Sequence, residues 1–500
     1  MTAGSSLNVV GISVFNNAVT AGALDVTGVS ILQGAVTAGA MNVTGESFLQ
    51  GAMTAGSSLN VVGISVFNNA VTAGALNVTG ESFLQGAVTA GALNVTGQSI
   101  LQGAVTAGAM NVTGISILQG AVTAGALDVT GQSILQGAVT AGALNVTGES
   151  FLQGAMTAGS SLNVVGISVF NNAVTAGALN VTGQSILQGA VTAGALNVTG
   201  ESFLQGAMTA GSSLNVVGIS VFNNAVTAGA LNVTGESILQ GAVTAGALDI
   251  TGQSILQGAV TAGALNVTGI SILQDAVTAG SSLNVVGISV FNNAVTAGAL
   301  DVTGVSILQG AVTAGALNVT GQSILQGGVT AGTLFVTGVS ILQDAMTAGS
   351  SLNVVGISVF NNAVTAGAIN ITGQSILQGA VTAGALNVTG ESILQNAVTA
   401  GSSLNVVGIS VFNNAVTAGA LNVTGISILQ GAVTAGALDV TGVSILQGPV
   451  TAGALFVTGE ATVLGSSNLQ NATNTIGNIY TNAGSVGIGV VAPTYKLEVD

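Results

Sequence analysis

Apolar and polar residues follow one short pattern along nearly the whole chain. The stretch 88–104 reads VTAGALNVTGQSILQGA, and almost the same words return from Val105. Within it ALNV alternates, which sets Leu93 and Val95 on one face and Asn94 and Thr96 on the other, as in a half-buried strand. A second strand is predicted in QSILQ, where Ile100 and Leu101 stand side by side and join Leu93 and Val95 as candidate core residues. Gly91, Gly97 and Gly103 separate these segments as expected turns. Helix is opposed by three turn-forming residues in seventeen and by the many β-branched side chains.

Twenty-seven copies of the unit begin at Met1, Val19, Val36, Met53 and so on to Val450, filling 1–465 and leaving 466–500 as a C-terminal transition segment. Most have 17 residues; seven have 18 and read like MTAGSSLNVVGISVFNNA, starting at Met1, Met53, Met156, Met208, Val277, Met346 and Val398. Their spacings are whole numbers of repeats, as duplication of blocks of three or four copies would leave them. A fixed period of this size indicates a stacked or spiralling repeat architecture.

Comparing the copies shows what each position tolerates. The glycines of TAG and of NVTG or VVG never vary. The third glycine gives way only to Asp275, Asp344, Asn396 or the asparagine of the long copies, residues that accept a left-handed backbone, so a tight turn is expected there. Glu46, Gln98, Val29 and Ile115 share the position after the second glycine, as a solvent-facing site allows. The extra residue of the long copies falls between TAG and LNV. Inside a paired strand it would flip every following side chain, so a loop or bulge is expected.

One such unit cannot bury its apolar face alone, and its open edges would template aggregation. Three arrangements cover them: three chains wound about a common axis, one chain coiled as a β-solenoid, or many chains stacked as an amyloid. The unit GALNVTGQSIL resembles the repeats of viral fibre shafts of the triple β-spiral type, as in adenovirus and reovirus attachment proteins. It differs in having almost no proline at the turn and in its adjacent Ile-Leu pair. The resemblance implies an all-β, intertwined homotrimer that projects a receptor-binding tip from a virion surface, with a virion or tail anchoring protein and a host receptor as partners. At the end of the chain, SVGIGVVAPTYKLEVD is similar to the segment preceding the intramolecular chaperone domain of phage tail fibres and endosialidases, through Gly487, Ile488, Gly489, Pro493, Leu497 and Val499. That likeness implies a chaperone or tip domain beyond Asp500, the 500 residues being a piece of a longer protein. The single-chain β-solenoid, as a secreted adhesin or functional amyloid subunit, is the alternative. Axial rise separates them: on the order of 10–15 Å per copy if strands run partly along the axis, about 4.8 Å if they lie across it.

Composition narrows the chemistry. Charged residues are 3% of the chain and Lys496 is the one base, so no nucleic-acid partner is expected. The net charge of −15 is spread as single carboxylates such as Glu46, Glu81, Asp128 and Asp249. With no Cys, His, Trp or Arg, thiol and imidazole chemistry and the usual zinc sites are excluded. Mean hydropathy is +0.79, yet glycine or polar residues interrupt every apolar run far short of the roughly 20 residues of a spanning helix, so no membrane insertion is expected. One acid per two repeats is too sparse for a calcium-binding β-roll or a glycosidase acid pair. The loop-like GSVGIG at 484–489 lacks the following helix and acid of a nucleotide site. The NVT triplets, such as 42–44 and 77–79, fit glycosylation sequons, but aspartate replaces the asparagine at Asp25, Asp128, Asp249, Asp301 and Asp439, which favours an outward polar pair. Phe15, Phe48 and Phe83 are expected to pack in the core. No catalytic, cofactor or metal residue is assigned, and the chain is not expected to be an enzyme.

Overall fold

A computed structural model of the protein describes residues 1–465 and, beyond them, the backbone of the short strands Ser467–Leu469, Ala472–Asn474, Asn478–Thr481, Val486–Ile488 and Leu497–Val499. The chain divides into two compact units, Met1–Ala247 and Leu248–Asp500. Both are stacks of parallel β coils, a β-solenoid of about 27 turns of roughly 17 residues. The strand Val88–Thr96 lies between Val71–Thr79 and Val105–Thr113, with Leu93 flanked by Leu76 and Met110. Ser99–Leu101 lies between Ser82–Leu84 and Ser116–Leu118 in the same register. In the second unit the two strands of a coil run together, as in Val260–Leu273 and Val295–Leu308.

Backbone hydrogen bonds join each coil to its neighbours. The Val88 N–H donates to the Ala104 carbonyl at 2.9 Å, Gly97 N–H to Thr113 at 2.9 Å and Gln102 N–H to Leu84 at 2.8 Å. Each coil therefore advances one strand spacing, about 4.8 Å, with its strands across the stacking direction. The edge left open by one coil is covered by the next coil of the same chain.

Side chains fill the interior from both strands. Val88, Ala90, Leu93, Val95, Ser99 and Leu101 are buried. The first strand starts at Val88 rather than at Ala92, because V-T-A alternates just as L-N-V does. Inward Ala90 and Leu93 are three residues apart, and the ladder passes over Gly91, so the strand turns a corner there. Ile100, expected in the core, instead faces outward and is partly exposed; with Ser99 and Leu101 both inside, alternation leaves it no other side. Stacking supplies the burial. Leu7 and Val9, in a coil with one neighbour, are partly exposed, whereas Leu24 and Val26 in the next coil are 0% and 1% exposed.

The three glycines are needed for different reasons. Gly97 has φ +114°, and its counterparts from Gly11 to Gly408 are all positive. A Cβ on Gly97 would also lie 2.5 Å from the Gly80 carbonyl oxygen of the preceding coil. Gly91 and Gly103 do not have a positive φ; a Cβ on either would run into the backbone of the coil below, at Gly74 and Gly86 respectively. The left-handed turn expected at Gly103 is thus a close approach instead. Asparagine and aspartate serve there through hydrogen bonds to backbone: Asn69 Nδ2 donates to the Gln50 carbonyl of the preceding coil at 2.6 Å, and Asp275 Oδ1 accepts from the adjacent Ala276 N–H at 2.8 Å.

The extra residue of the long copies forms a bulge where the register shifts, between Ala55 and Ser58 against 73–75 in one case, after which Leu59 pairs Leu76 in phase. The same coils place phenylalanine inward: Phe67, Phe170 and Phe222 are fully buried in the column that holds Leu84 elsewhere. A longer coil and a larger core residue occur together, as close packing requires. Phe48 and Phe83, expected in the core beside Phe15, belong to the other column, that of Ile100, and are 44% and 42% exposed.

Gly97→Ala is expected to cost about 2–4 kcal/mol locally, by backbone strain and collision. Hydrogen exchange should then accelerate in the flanking coils. Gly56→Ala, where the nearest atom to the new methyl is 3.8 Å away, should leave exchange nearly unchanged.

Candidate functional site

Among the described residues, those of the repeat that the sequence singled out do not converge on one point. The geometry spreads them into columns, one member per coil. Gly91, Gly97 and Gly103 stand in three glycine columns; Leu93, Val95 and Leu101 stand in three buried apolar columns. Gly487 and Ile488 lie in Val486–Ile488, which pairs in parallel with Leu497–Val499, Gly487 opposite Glu498, Ile488 opposite Val499 and Leu497 opposite Val486. Gly489 and Pro493 fall outside the described residues, as do 484 and 485 of the 484–489 stretch.

The asparagines of NVT form a ladder along the outer face. Asn94 Nδ2 donates to Asn77 Oδ1 at 2.8 Å, and Asn111 Nδ2 donates to Asn94 Oδ1 at 2.9 Å. Each amide thus donates to the preceding coil and accepts from the next, the pairing that parallel in-register stacks favour. Asp25, Asp128, Asp249 and Asp301 begin new runs: each accepts from the following asparagine, as Asp128 does from Asn145 at 2.6 Å, and an ionised carboxylate has nothing to donate backward. The Asn–Thr pair is outward, but the asparagine is engaged along the stack.

A second polar column lies inside and was not singled out by the sequence reading. Ser82, Ser99 and Ser116 are buried, and their Oγ atoms have no hydrogen-bond partner; Ser323 and Ser340 alone in the column approach each other, at 3.1 Å. The invariance of serine in SIL and SVF was the available signal. In the last full coil Ala461 takes this place, paired with Ser444 and buried.

The third column is apolar and outward. It runs through Val66, Phe83, Ile100 and Ile117 at the centre of the short strand, flanked by the position after the second glycine. Between these two rows lie open grooves, such as one of about 190 Å³ with Phe83, Ile100, Ile115 and Ile117 on its walls and Glu81 and Gln98 at its rim. A groove of the same make-up holds Ile357, Gln374, Glu391 and Ile409, and there Gln374 Nε2 donates to Glu391 Oε2 at 3.1 Å. Glu46, Gln98, Val29 and Ile115 are all exposed.

Among the described residues no group of three or more His, Cys, Asp or Glu is placed to hold a metal ion. Among them, too, no helix is long and apolar enough to cross a membrane. No family model, curated protein or solved structure matches the chain.

Asn94→Ala removes one donor and one acceptor from a continuous run, and a loss of about 1–3 kcal/mol is expected in local opening free energy by hydrogen exchange. Ser99→Ala removes a buried hydroxyl without a partner and should be neutral or stabilising by up to about 1 kcal/mol. A loss of similar size to that of Asn94→Ala would show the hydroxyl to be bonded.

Proposed function

We propose that the chain is the structural shaft of a viral or phage fibre, working as a homotrimer that holds a receptor-binding tip away from the particle. The observation that carries this reading is that coil after coil spends its side chains on its neighbours: glycine on glycine, leucine on leucine, asparagine on asparagine. Such a stack gains length by adding copies, each interface being the same as the last. At one strand spacing per coil, the fourteen full coils of the first unit extend about 65 Å. The likeness of the C-terminal segment to that preceding fibre chaperone domains supports the same reading. Because the backbone pairs within the chain, the three chains associate as complete solenoids rather than by exchanging strands.

The single-chain pairing and the rise of one strand spacing per coil, the value set out above for a β-solenoid, favour a second reading, a secreted adhesin or amyloid-like filament subunit that binds surfaces directly. Mass separates the two. Native mass spectrometry or sedimentation of the purified chain should give a species of three times 47.7 kDa, with threefold symmetry in electron micrographs. A species of 47.7 kDa at all concentrations would remove the trimeric shaft and leave the adhesin, and detergent-resistant polymers of no fixed size would leave the filament.

A further inference from the structure

The outward column at the centre of the short strand is apolar in all but the last copy, whereas the other outward columns are polar, small or mixed. Thr89 and Gly91, on the first strand, and Gln102, past the second, are polar or small and face solvent. Threonine is the β-branched residue that suits such a place, and the chain uses it at Thr89 in every copy and at Thr96 in the shorter copies. At the centre of the short strand the residue is nevertheless Val, Ile or Phe in every copy from Val14 to Ile445, and only the last, at Thr462, is polar. A position that faces outward and excludes polar residues in 26 consecutive copies is a covered position.

Size and spacing identify the cover. Phe48, Phe83, Phe151 and Phe203 are each 42–52% exposed, leaving roughly 80–100 Å² apiece of a side chain of about 150–250 Å². With the valines and isoleucines of the same row and its flank, the stripe on the first unit exceeds the roughly 800 Å² that a stable interface takes from each partner. The stripe repeats at one strand spacing, about 4.8 Å, and a partner that fills each notch must carry apolar side chains at that same spacing. A second copy of this chain does so. Carboxylates are sparse along it: Glu46, Glu81, Glu149 and Glu201 stand at the rim, at least two coils apart, and Glu149 and Glu201 accept from the glutamine of the coil before.

We infer that this stripe is the surface by which copies of the chain join side by side, the solenoids lying parallel with their short strands facing inward on one another. The inference rests on the shaft reading for the existence of an assembly, and adds where its contact lies. The test replaces the column by threonine throughout the full-length chain, Val14→Thr, Ile31→Thr, Phe48→Thr and so on to Ile445→Thr, as Thr462 already stands in the last full coil. Hydrogen exchange on the backbone reports whether the coils still form. A control chain carries Thr89→Val, Thr106→Val and Thr123→Val on another face. The expected result is that the wild type and the control associate, while the threonine chain keeps its exchange protection and falls to the mass of a single chain. Association retained by a folded threonine chain overturns the stripe as the contact and leaves the shaft reading standing. A wild type that is monomeric overturns both. If the threonine chain fails to fold, single Ile100→Cys and Thr106→Cys chains, in a protein with no other cysteine, decide the matter: a short thiol crosslinker should join Ile100→Cys chains in pairs and leave Thr106→Cys chains single, and equal yields would overturn the proposal.

Discussion

In-register hydrogen bonding between residues 17 or 18 apart is the constraint from which the rest follows. Once Val88 pairs with Val105 and Val71, every position along the coil lies above and below its own counterpart. A residue is then chosen for how well it stacks on itself at one strand spacing. Asparagine stacks well, because its amide donates in one direction and accepts in the other. Leucine and valine stack well inside, where each coil covers the last. Glycine alone fits where two backbones meet, as at Gly97 above Gly80. The invariance of the repeat is a packing requirement of the stack itself.

The same constraint explains how the chain tolerates its variations. An eighteenth residue is absorbed at the corner beside Gly56, where the nearest atoms to a Cβ are 3.8 Å away, and the strand that follows keeps its phase. The added length is matched inside by Phe67 in place of leucine. Phe335, in the asparagine column, interrupts the amide ladder, and the run resumes with Asn370 donating to Asn353. Variation is local because each coil touches only its neighbours.

The alternation of LNV made the first strand and its inward Leu93 and Val95 legible, and the phase argument placed the extra residue of the long copies in a bulge. The facing of SIL was not legible from its neighbours alone, because Ile100 and Leu101 are equally apolar. Leucine gives way only to phenylalanine or valine inside, while isoleucine gives way to phenylalanine, valine and finally threonine outside, and this difference becomes clear once two phenylalanine columns are seen to be distinct. Gly103 illustrates another limit: glycine, asparagine and aspartate at one position suggest a left-handed turn, but crowding by the coil below and side-chain bonds to backbone select the same three residues. Ser99 could not be recognised as buried from residue type, since serine is common on surfaces.

Scarcity of charge, too, is a consequence of stacking. Two carboxylates in adjacent coils of one column would stand about 4.8 Å apart and repel by about 1 kcal/mol in water and about 3–4 kcal/mol in a protein-like medium. Glu46, Glu81, Glu149, Glu201, Glu236, Glu391 and Glu460 occupy one column and never fall in successive coils; nor do Asp25, Asp128, Asp249, Asp301 and Asp439 in theirs, or Asp275 and Asp344 in the third. An ordinary surface mixes signs to relieve such repulsion, but a column of identical neighbours has no opposite sign to offer. The repeat therefore keeps its outer columns neutral with threonine, asparagine and glutamine, and admits an acid only where both neighbours in its column are uncharged. The chain reaches a net charge of −15, and within the described repeat no two carboxylates fall in successive coils of one column.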